Sequence, residues 1–254
     1  VDAINVTDLQ SAVMKLGSLT ASFLLKDIGI EPIYQLTCRD RNRLALQSDL
    51  LSAASLGIQN VLVLTGDHPV RGDHPHAKAV FDLDSIQLLG VVKNLQEGKD
   101  MSGNALDGIP TFCAGAVVNP GADPLEPELI KMEKKIKAGA QFFQTQAVYD
   151  IIKFQEFMKY AAEFNVPIIA GIILIKSLRM AKYMNENVPG IYVPEHLINE
   201  IDIAKDKSQA SLGIAVRLIN ELKPLCRGVH IMPIGWERYL PALLDELGVD
   251  SEKS

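Results

Sequence analysis

Val61-Leu62-Val63-Leu64-Thr65-Gly66-Asp67 is a short apolar run that breaks into a polar tip, and this form decides the fold. A near-continuous hydrophobic run is typical of a parallel strand buried on both faces, with polar residues where the strand leaves the sheet. Six further segments have the same form, at residues 3–8, 33–40, 112–119, 140–146, 166–174 and 229–236. Because segments with helical periodicity separate most of them, the sequence predicts an α/β fold. The expected type is a TIM (β/α)8 barrel with seven of its eight strands visible.

Length and composition fit one α/β domain. The 254 residues are close to the length of about 250 that is typical of such a barrel, so we expect a single domain over residues 1–254. The chain lacks an initiator Met and begins within two residues of a strand, which predicts a truncated N-terminus. A net charge of −6 without a basic stripe argues against nucleic-acid binding. Three widely spaced cysteines indicate a reducing, cytoplasmic location, and no apolar segment reaches the roughly 18 residues of a membrane span.

The segments between the runs predict seven helices. They cover residues 9–26, 43–56, 84–95, 123–137, 150–164, 177–187 and 194–222. Asp84 is placed to cap the third of them. The polar loop at residues 67–78 is long for a compact domain, and such loops are usually functional or mobile.

Two run ends favour a binding site. Glycine at Gly66 allows the backbone to approach a planar ligand, and Asp67 can present its carboxylate at the active-site face of a barrel. This placement favours Asp67 as a site residue over an aspartate that only caps a helix or lies solvated in a loop. Thr145-Gln146 ends another run with an amide that donates and accepts hydrogen bonds. The amide suits either recognition of a heterocycle or satisfaction of the backbone at the strand end.

Other polar clusters have more than one interpretation. The turn at residues 39–43 carries three arginines and could bind phosphate, but pairing of its arginines with aspartates is favoured. Lys135 lies among lysines that suit a solvated helix face, although it could reach a diphosphate. The histidines of the 67–78 loop lack ligand spacing on a rigid element, so no metal site is predicted. Cys38 is interpreted as a buried thiol.

Seven short motifs follow one another along the chain in a recognisable order. They are Val6-Thr7, Leu36-Thr37-Cys38, Gly66-Asp67, Asn119-Pro120, Lys135 with Ala138-Gly139-Ala140, Thr145-Gln146 and Val229-His230-Ile231. In this order they resemble the methylenetetrahydrofolate reductase family, flavoprotein oxidoreductases of folate-dependent one-carbon metabolism and methionine biosynthesis. The resemblance covers most of the chain.

The resemblance implies a cofactor site for FAD, in preference to FMN, across the C-terminal mouth of the barrel. It assigns the cofactor to Thr7, Gln35, Thr65, Gly66, Asp67, Phe81, Asp82, Asn119, Pro120, Glu128 and Lys135. It assigns the substrate to Asp67, Gln146 and Trp236, with Asp67 as the catalytic residue. The implied reaction is hydride transfer from N5 of the reduced flavin to 5,10-methylenetetrahydrofolate, which gives 5-methyltetrahydrofolate. The proton donor of the family is a Glu on the first barrel strand, which is expected upstream of Val1.

Three departures from the family pattern resemble the branch found in anaerobes that use the acetyl-CoA pathway. Thr65 stands where Arg is frequent, Gln35 stands where His is frequent, and residues 232–236 replace the usual terminal motif. The resemblance therefore implies NAD(P)H or an iron–sulfur partner subunit as electron donor, in a homo-oligomer or a hetero-complex. Two alternatives stay open. One is the pterin-binding barrel of a corrinoid methyltransferase system, and the other is a catalytically incomplete barrel that acts as a binding subunit.

Overall fold

The computed structural model describes residues 1–249, in which strands alternate with helices along most of the chain. Contacts divide the chain into two compact units, and each is described by itself. The first unit consists of residues 1–117 and 133–142, and the second consists of residues 118–132 and of residue 143 onward. No helix within residues 1–249 is long and apolar enough to cross a membrane.

Four parallel strands form the sheet of the first unit. They are β1 (Ile4–Val6), β2 (Pro32–Thr37), β3 (Asn60–Leu64) and nearly all of β4 (Cys113–Val118). Each pairs with the next in chain order. The helices are α1 (Ser18–Asp27), α2 (Arg43–Ser55), α3 (Ser85–Gln96) and the last turns of α4 (Glu126–Lys137).

The helices of the first unit bury one face each. In α2 the fully buried residues Leu46, Leu50 and Ala53 recur at the spacing of a helical stripe. Asp84 caps α3 as predicted, because its carboxylate accepts a hydrogen bond from the backbone N of Gln87 at 2.8 Å and the Gln87 side chain accepts one from Asp84 N at 2.9 Å. This reciprocal pair is a capping box.

The prediction of one helix over residues 9–26 is wrong in its first half. Residues 10–12 form a single 3-10 turn, and α1 begins only at Ser18. A right-handed helix cannot continue through left-handed backbone. Positive φ angles of 50°, 58° and 58° occur at Leu9, Ser11 and Ala12.

The 67–78 loop packs directly on this left-handed segment. The carboxylate of Asp73 accepts a hydrogen bond from the backbone N of Met14 at 3.1 Å. A Cβ added to Gly72 would overlap the carbonyl oxygen of Ala12. A contact between segments some sixty residues apart therefore overrides the helical pattern of the local sequence.

Three parallel strands form the sheet of the second unit, again paired in chain order. They are β5 (Phe142–Ala147, from its second residue), β6 (Ile168–Ile173) and β7 (Gly228–Met232). The first turns of α4 precede them in the chain. The other helices are α5 (Ile151–Ala161), α6 (Leu178–Asn187), α7 (Glu195–Ile203), α8 (Lys207–Leu222) and α9 (Leu240–Glu246).

The predicted helix over residues 194–222 is two helices, so this prediction is also wrong in part. α7 ends at Ile203, and Asp206 starts α8 by accepting hydrogen bonds from Ser208 N at 2.9 Å and Gln209 N at 3.1 Å. An aspartate in extended backbone that satisfies the first free N–H groups of a helix is an N-cap. The short helix α9 was not predicted.

Each of these strands coincides with one of the seven apolar runs, with at most one residue of the strand outside the run, and every pairing described above is parallel. The predicted α/β fold is confirmed. Because the carboxyl ends of paired parallel strands meet at one edge of a sheet, the run ends of each unit lie along that edge.

Candidate functional site

The tip Thr65-Gly66-Asp67 follows β3 and lies against the end of β2. Gly66 has a φ of +92°, and a Cβ there would lie 3.1 Å from the Cβ atoms of both Thr37 and Arg39. Glycine is favoured because any side chain here would be strained by the positive φ and would crowd these two neighbours. Asp67 is exposed, and no group within residues 1–249 donates a hydrogen bond to its carboxylate. The tip therefore presents a carboxylate to solvent at the carboxyl end of a buried strand.

The charged turn after β2 uses its arginines for internal pairing. Arg39 is only 2% exposed, and its Nε and Nη2 donate to the carboxylate of Asp40 at 3.0 and 2.7 Å. Arg43 donates through Nε and Nη2 to the two oxygens of Asp82, both at 2.9 Å. Asn42 caps α2 by accepting hydrogen bonds from two backbone N–H groups. The prediction that this turn pairs arginines with aspartates is confirmed.

The sequence prediction did not include Asp8, whose buried carboxylate lies just after β1. It accepts hydrogen bonds from the backbone N and the hydroxyl of Thr37, both at 2.8 Å, and from Nη1 of Arg41 at 2.7 Å. Nε of Arg41 pairs with Asp49 of α2 at 2.8 Å, and burial raises the pKa of Asp49. Asp8 thereby ties the end of β1 to β2 and α2. A signal for it exists, since Asp8 is the polar residue that closes the first apolar run.

The remaining predicted cofactor residues of the first unit differ in exposure. Thr7 and Thr65 are exposed, Gln35, Phe81 and Asp82 are half-buried, and Lys135 is 8% exposed. The Thr65 hydroxyl accepts a hydrogen bond from the backbone N of Ser85 at 3.3 Å. Nζ of Lys135 donates to the carbonyl oxygen of Val117 at 2.7 Å, so its ammonium group lies near the carboxyl end of β4. Lys135 is thus not part of a solvated helix face.

Phe81 and Asp82 follow the loop that begins at Asp67. Phe81 has a φ of 42°, which is unusual for a bulky residue, and its ring stacks on that of His68 at 6.2 Å. Hydrogen bonds from Arg43 lower the pKa of Asp82 to about 2. Among the residues that the structure describes, no group of three or more His, Cys, Asp or Glu side chains could hold a metal ion.

The second unit holds the other predicted site residues, which are Asn119, Pro120, Glu128, Gln146 and Trp236. The backbone N of Asn119 donates to Oε1 of Glu128 at 3.1 Å, and its side-chain amide donates to the carbonyl oxygen of Pro189 at 3.2 Å. A Cβ on Gly190 would overlap that amide. Asn119 is thereby fixed to the start of α4 and to the turn after α6.

A bulge in β5 exposes Gln146. Gln144 is paired with Ile169, but Ala147 is paired with Gly171, so β5 has one extra residue. The hydroxyl of Thr145 fills the gap: it accepts a hydrogen bond from Gly171 N at 2.9 Å and donates to the carbonyl oxygen of Gln146 at 2.7 Å. Thr145 therefore satisfies the backbone, which leaves the Gln146 amide exposed.

Two aromatic side chains mark β7 and the turn after it. Trp236 is half-buried and packs edge-on against Tyr239, with 5.1 Å between ring centroids. His230 lies within β7 beside Gly171 of β6. Burial lowers the pKa of His230 to about 4, so its ring is neutral at pH 7.

Comparison with known proteins gives a family for this chain. A family described as methylenetetrahydrofolate reductase matches residues 2–248. Methylenetetrahydrofolate reductase 2 of Schizosaccharomyces pombe is 26% identical over 84% of this chain and 35% of its own length. The probable methylenetetrahydrofolate reductase (NADPH) of Caenorhabditis elegans is 24% identical over 98% of this chain and 36% of its own length. The chain thus spans about a third of the length of these relatives.

A solved structure also has a similar fold. It is a Clostridium thermocellum protein described as binding two copies of 5-methyl-5,6,7,8-tetrahydrofolic acid, with a TM-score of 0.67 and 19% identity. The match covers 97% of this chain and 81% of that protein, and at such low identity it is evidence for the fold alone. The family match extends over nearly all of the chain. The chain belongs to the methylenetetrahydrofolate reductase family.

Proposed function

We propose that this chain reduces 5,10-methylenetetrahydrofolate to 5-methyltetrahydrofolate with a bound flavin. One observation carries the proposal: in a chain of this family an exposed carboxylate, Asp67, follows a glycine with positive φ at the carboxyl end of β3. The names of the relatives support the same reaction. Because the chain spans only about a third of their length, the activity is proposed for it on its own residues.

Three of the residues assigned to the cofactor in the first unit carry groups that suit FAD. Thr7 and Thr65 offer exposed hydroxyls, and the Lys135 ammonium group can neutralise a diphosphate. Asp82 is less suited to the diphosphate, because it is anionic and Arg43 engages both of its oxygens. We therefore assign Asp82 to a hydroxyl of the ribityl or adenosine portion. When bound, the flavin would supply the hydride from N5.

The substrate is assigned to side chains whose hydrogen-bonding groups match a pterin. The Asp67 carboxylate accepts hydrogen bonds from ring N–H groups, while the Gln146 amide both donates and accepts. The exposed position of Gln146 on the β5 bulge supports this role. Trp236 is assigned to packing against the substrate. Asp67 orients the pterin and is the catalytic residue of the proposal.

For the electron donor we propose NAD(P)H or, as in the anaerobe-like branch, an iron–sulfur partner subunit. The support is the sequence at Gln35, at Thr65 and at residues 232–236. Anaerobic incubation with NADH and NADPH tests this assignment. Bleaching of the flavin absorbance by either nucleotide alone would contradict the partner subunit.

The test of the reaction is single-turnover reoxidation of the photoreduced flavoprotein by 5,10-methylenetetrahydrofolate. Wild-type protein is expected to regain its flavin absorbance as 5-methyltetrahydrofolate forms. Asp67→Asn is expected to slow this step by about 100-fold with flavin still bound, since a carboxylate that orients the reacting ring is lost. Asp107→Asn is the matched control, because Asp107 is also exposed but lies in the loop before β4.

One result would overturn the proposed reaction, and another would reject only the role of Asp67. A protein that purifies without flavin and has no affinity for FAD cannot carry out this reaction. If such a protein still binds 5-methyltetrahydrofolate, the pterin-binding barrel of a corrinoid methyltransferase system becomes the better assignment. Wild-type rates in Asp67→Asn would reject the role of Asp67 and leave the reaction itself intact.

A further inference from the structure

We propose that Arg39 is a positioning residue for Asp67 and Phe81. It holds both ends of the 67–80 loop, which consists of the 67–78 loop and the next two residues. The inference rests on the proposed function, in which Asp67 and Phe81 contact the flavin or the folate. Arg39 itself is buried, so it acts through the loop and not on a ligand.

The two ends of the loop meet on this one residue. At the first end, Nη1 of Arg39 donates to the carbonyl oxygen of Asp67 at 3.4 Å. At the second end, the carbonyl oxygen of Arg39 accepts a hydrogen bond from the backbone N of Val80 at 2.8 Å. Phe81, with its left-handed backbone, comes directly after Val80. One side chain and one backbone carbonyl thus close the base of a loop in which twelve residues, 68–79, lie between Asp67 and Val80.

Contacts below the loop fix Arg39 in turn. Nε and Nη2 reach the Asp40 carboxylate at 3.0 and 2.7 Å, which orients the plane of the guanidinium group and leaves Nη1 facing the tip. Gly66 lies against the Cβ atoms of Arg39 and Thr37. Asp8 holds Thr37 through two hydrogen bonds at 2.8 Å. The start of the tip therefore rests on buried, mutually bonded groups.

The chemistry requires arginine at this position. A lysine would keep the positive charge, but its single ammonium group cannot pair with the Asp40 carboxylate through two nitrogens and also reach the carbonyl oxygen of Asp67. We therefore expect Arg39→Lys to loosen the first end of the loop while the backbone bond to Val80 remains.

A double-mutant cycle with Asp67 tests this action. Arg39→Lys is expected to slow single-turnover reoxidation by roughly 10- to 100-fold in the wild-type background, as misplacement of a catalytic group does. In the Asp67→Asn background the same substitution is expected to slow reoxidation by less than about threefold, because there is no longer a carboxylate to position. If Arg39→Lys slows reoxidation by the same factor in both backgrounds, the inference is overturned, since a general loss of stability acts independently of Asp67.

Tryptic cleavage of the flavin-free protein gives a readout that does not depend on activity. The loop contains two exposed cleavage sites, after Arg71 and after Lys78. Arg39→Lys is expected to accelerate cleavage there by about fivefold, as the loss of one hydrogen bond predicts. Arg217→Lys is the control, because it alters a surface pair with Glu200 at 2.6 Å.

Unchanged cleavage in Arg39→Lys would overturn the inference even if the protein is active. Failure of the wild-type protein to bind flavin or to reoxidise it with folate would instead reject the proposed function, and the cleavage comparison would still decide whether Arg39 holds the loop. If Arg39→Lys does not fold, Asp40→Asn loosens the same guanidinium group and enters the same cycle. Equal costs of Asp40→Asn in the two Asp67 backgrounds would likewise overturn the inference.

Discussion

At the scale of single residues, the exposed carboxylate of Asp67 and the buried carboxylate of Asp8 differ in their contacts. Asp67 presents its carboxylate to solvent, whereas Asp8 is 2% exposed and accepts three hydrogen bonds of 2.7 to 2.8 Å. Removing one partner of such a buried pair leaves an uncompensated charge, so Asp8 serves the architecture of the strand ends. Both are aspartates that end an apolar run, yet only their contacts separate the two roles.

The run ends therefore predict which residues lie at the carboxyl ends of the strands but not what each one does. Gly66, Asp67 and Gln146 could be selected from the sequence because strand termini and residue chemistry are local signals. Asp8 and Arg39 also lie at run ends, but the hydrogen bonds of Asp8 to Thr37 and of Arg39 to Asp67 could not be predicted, since the partners come from neighbouring strands and loops. Pairings of this kind are set by the fold and have no fixed spacing along the chain.

His230 is expected to make stability depend on pH. Its pKa is about 4 in the folded protein, because burial disfavours the charged ring, against an ordinary value of 6.5. The unfolded chain therefore binds the proton first, so stability is complete above pH 6.5 and falls as the pH drops from 6.5 towards 4. Urea unfolding should show a loss of about 2 kcal/mol between pH 7 and pH 5 from this group.

Two variants isolate this contribution. His230→Gln should remove most of the loss of unfolding free energy between pH 7 and pH 5. His196→Gln should retain that loss, because His196 is exposed. If the unfolding free energy of His230→Gln depends on pH as in the wild type, another group is responsible for that dependence. The free energy of unfolding at pH 7 is compared separately, because the substitution also changes packing within β7.

At the scale of elements, the β5 bulge is expected to depend on Gly171. A Cβ at this position would lie 2.6 Å from the carbonyl oxygen of Thr145, which is closer than real atoms approach. Gly171→Ala should therefore displace the bulge and lower the free energy of unfolding by about 1–3 kcal/mol. Urea denaturation measures the loss, and weaker folate binding should accompany it, since Gln146 moves with the bulge.

The matched control for this change is Gly213→Ala within α8. There the nearest atom to an added Cβ is Nη1 of Arg217, at an ordinary 3.7 Å. Alanine favours a helix over glycine by about 0.5–1 kcal/mol, so this variant should be more stable than the wild type. Equal effects of the two substitutions would rule out a special role for the bulge.

Elements also show where local pattern stops being sufficient. The strands and α2 follow from hydrophobic spacing, and the cap of α3 follows from Asp84. The segment before α1 carries the same apolar spacing, but its backbone is left-handed where the 67–78 loop packs on it. α7 and α8 are separated where the carboxylate of Asp206 accepts hydrogen bonds from the first N–H groups of α8. Hydrophobic periodicity alone does not reveal this helix boundary.

At the scale of the whole molecule, cofactor binding should appear as thermal stabilisation. A ligand that binds only the folded state at 100 times its dissociation constant adds about 2.7 kcal/mol. For a chain of this size that corresponds to a rise in Tm of roughly 5–10 °C. FAD should produce this rise, and FMN at the same concentration should produce less, because it lacks the adenosine portion assigned to the site. An equal rise with FMN would contradict the choice of FAD.

The closed base of the 67–80 loop also has a consequence for protein engineering. Because one residue holds both ends, the separation of Asp67 and Val80 does not depend on how much chain lies between them. Residues 75–77 are exposed and lie beyond the contacts of Gly72 and Asp73 with the segment before α1. A peptide tag or a small reporter domain inserted there would extend into solvent, and the strand tip would keep its geometry.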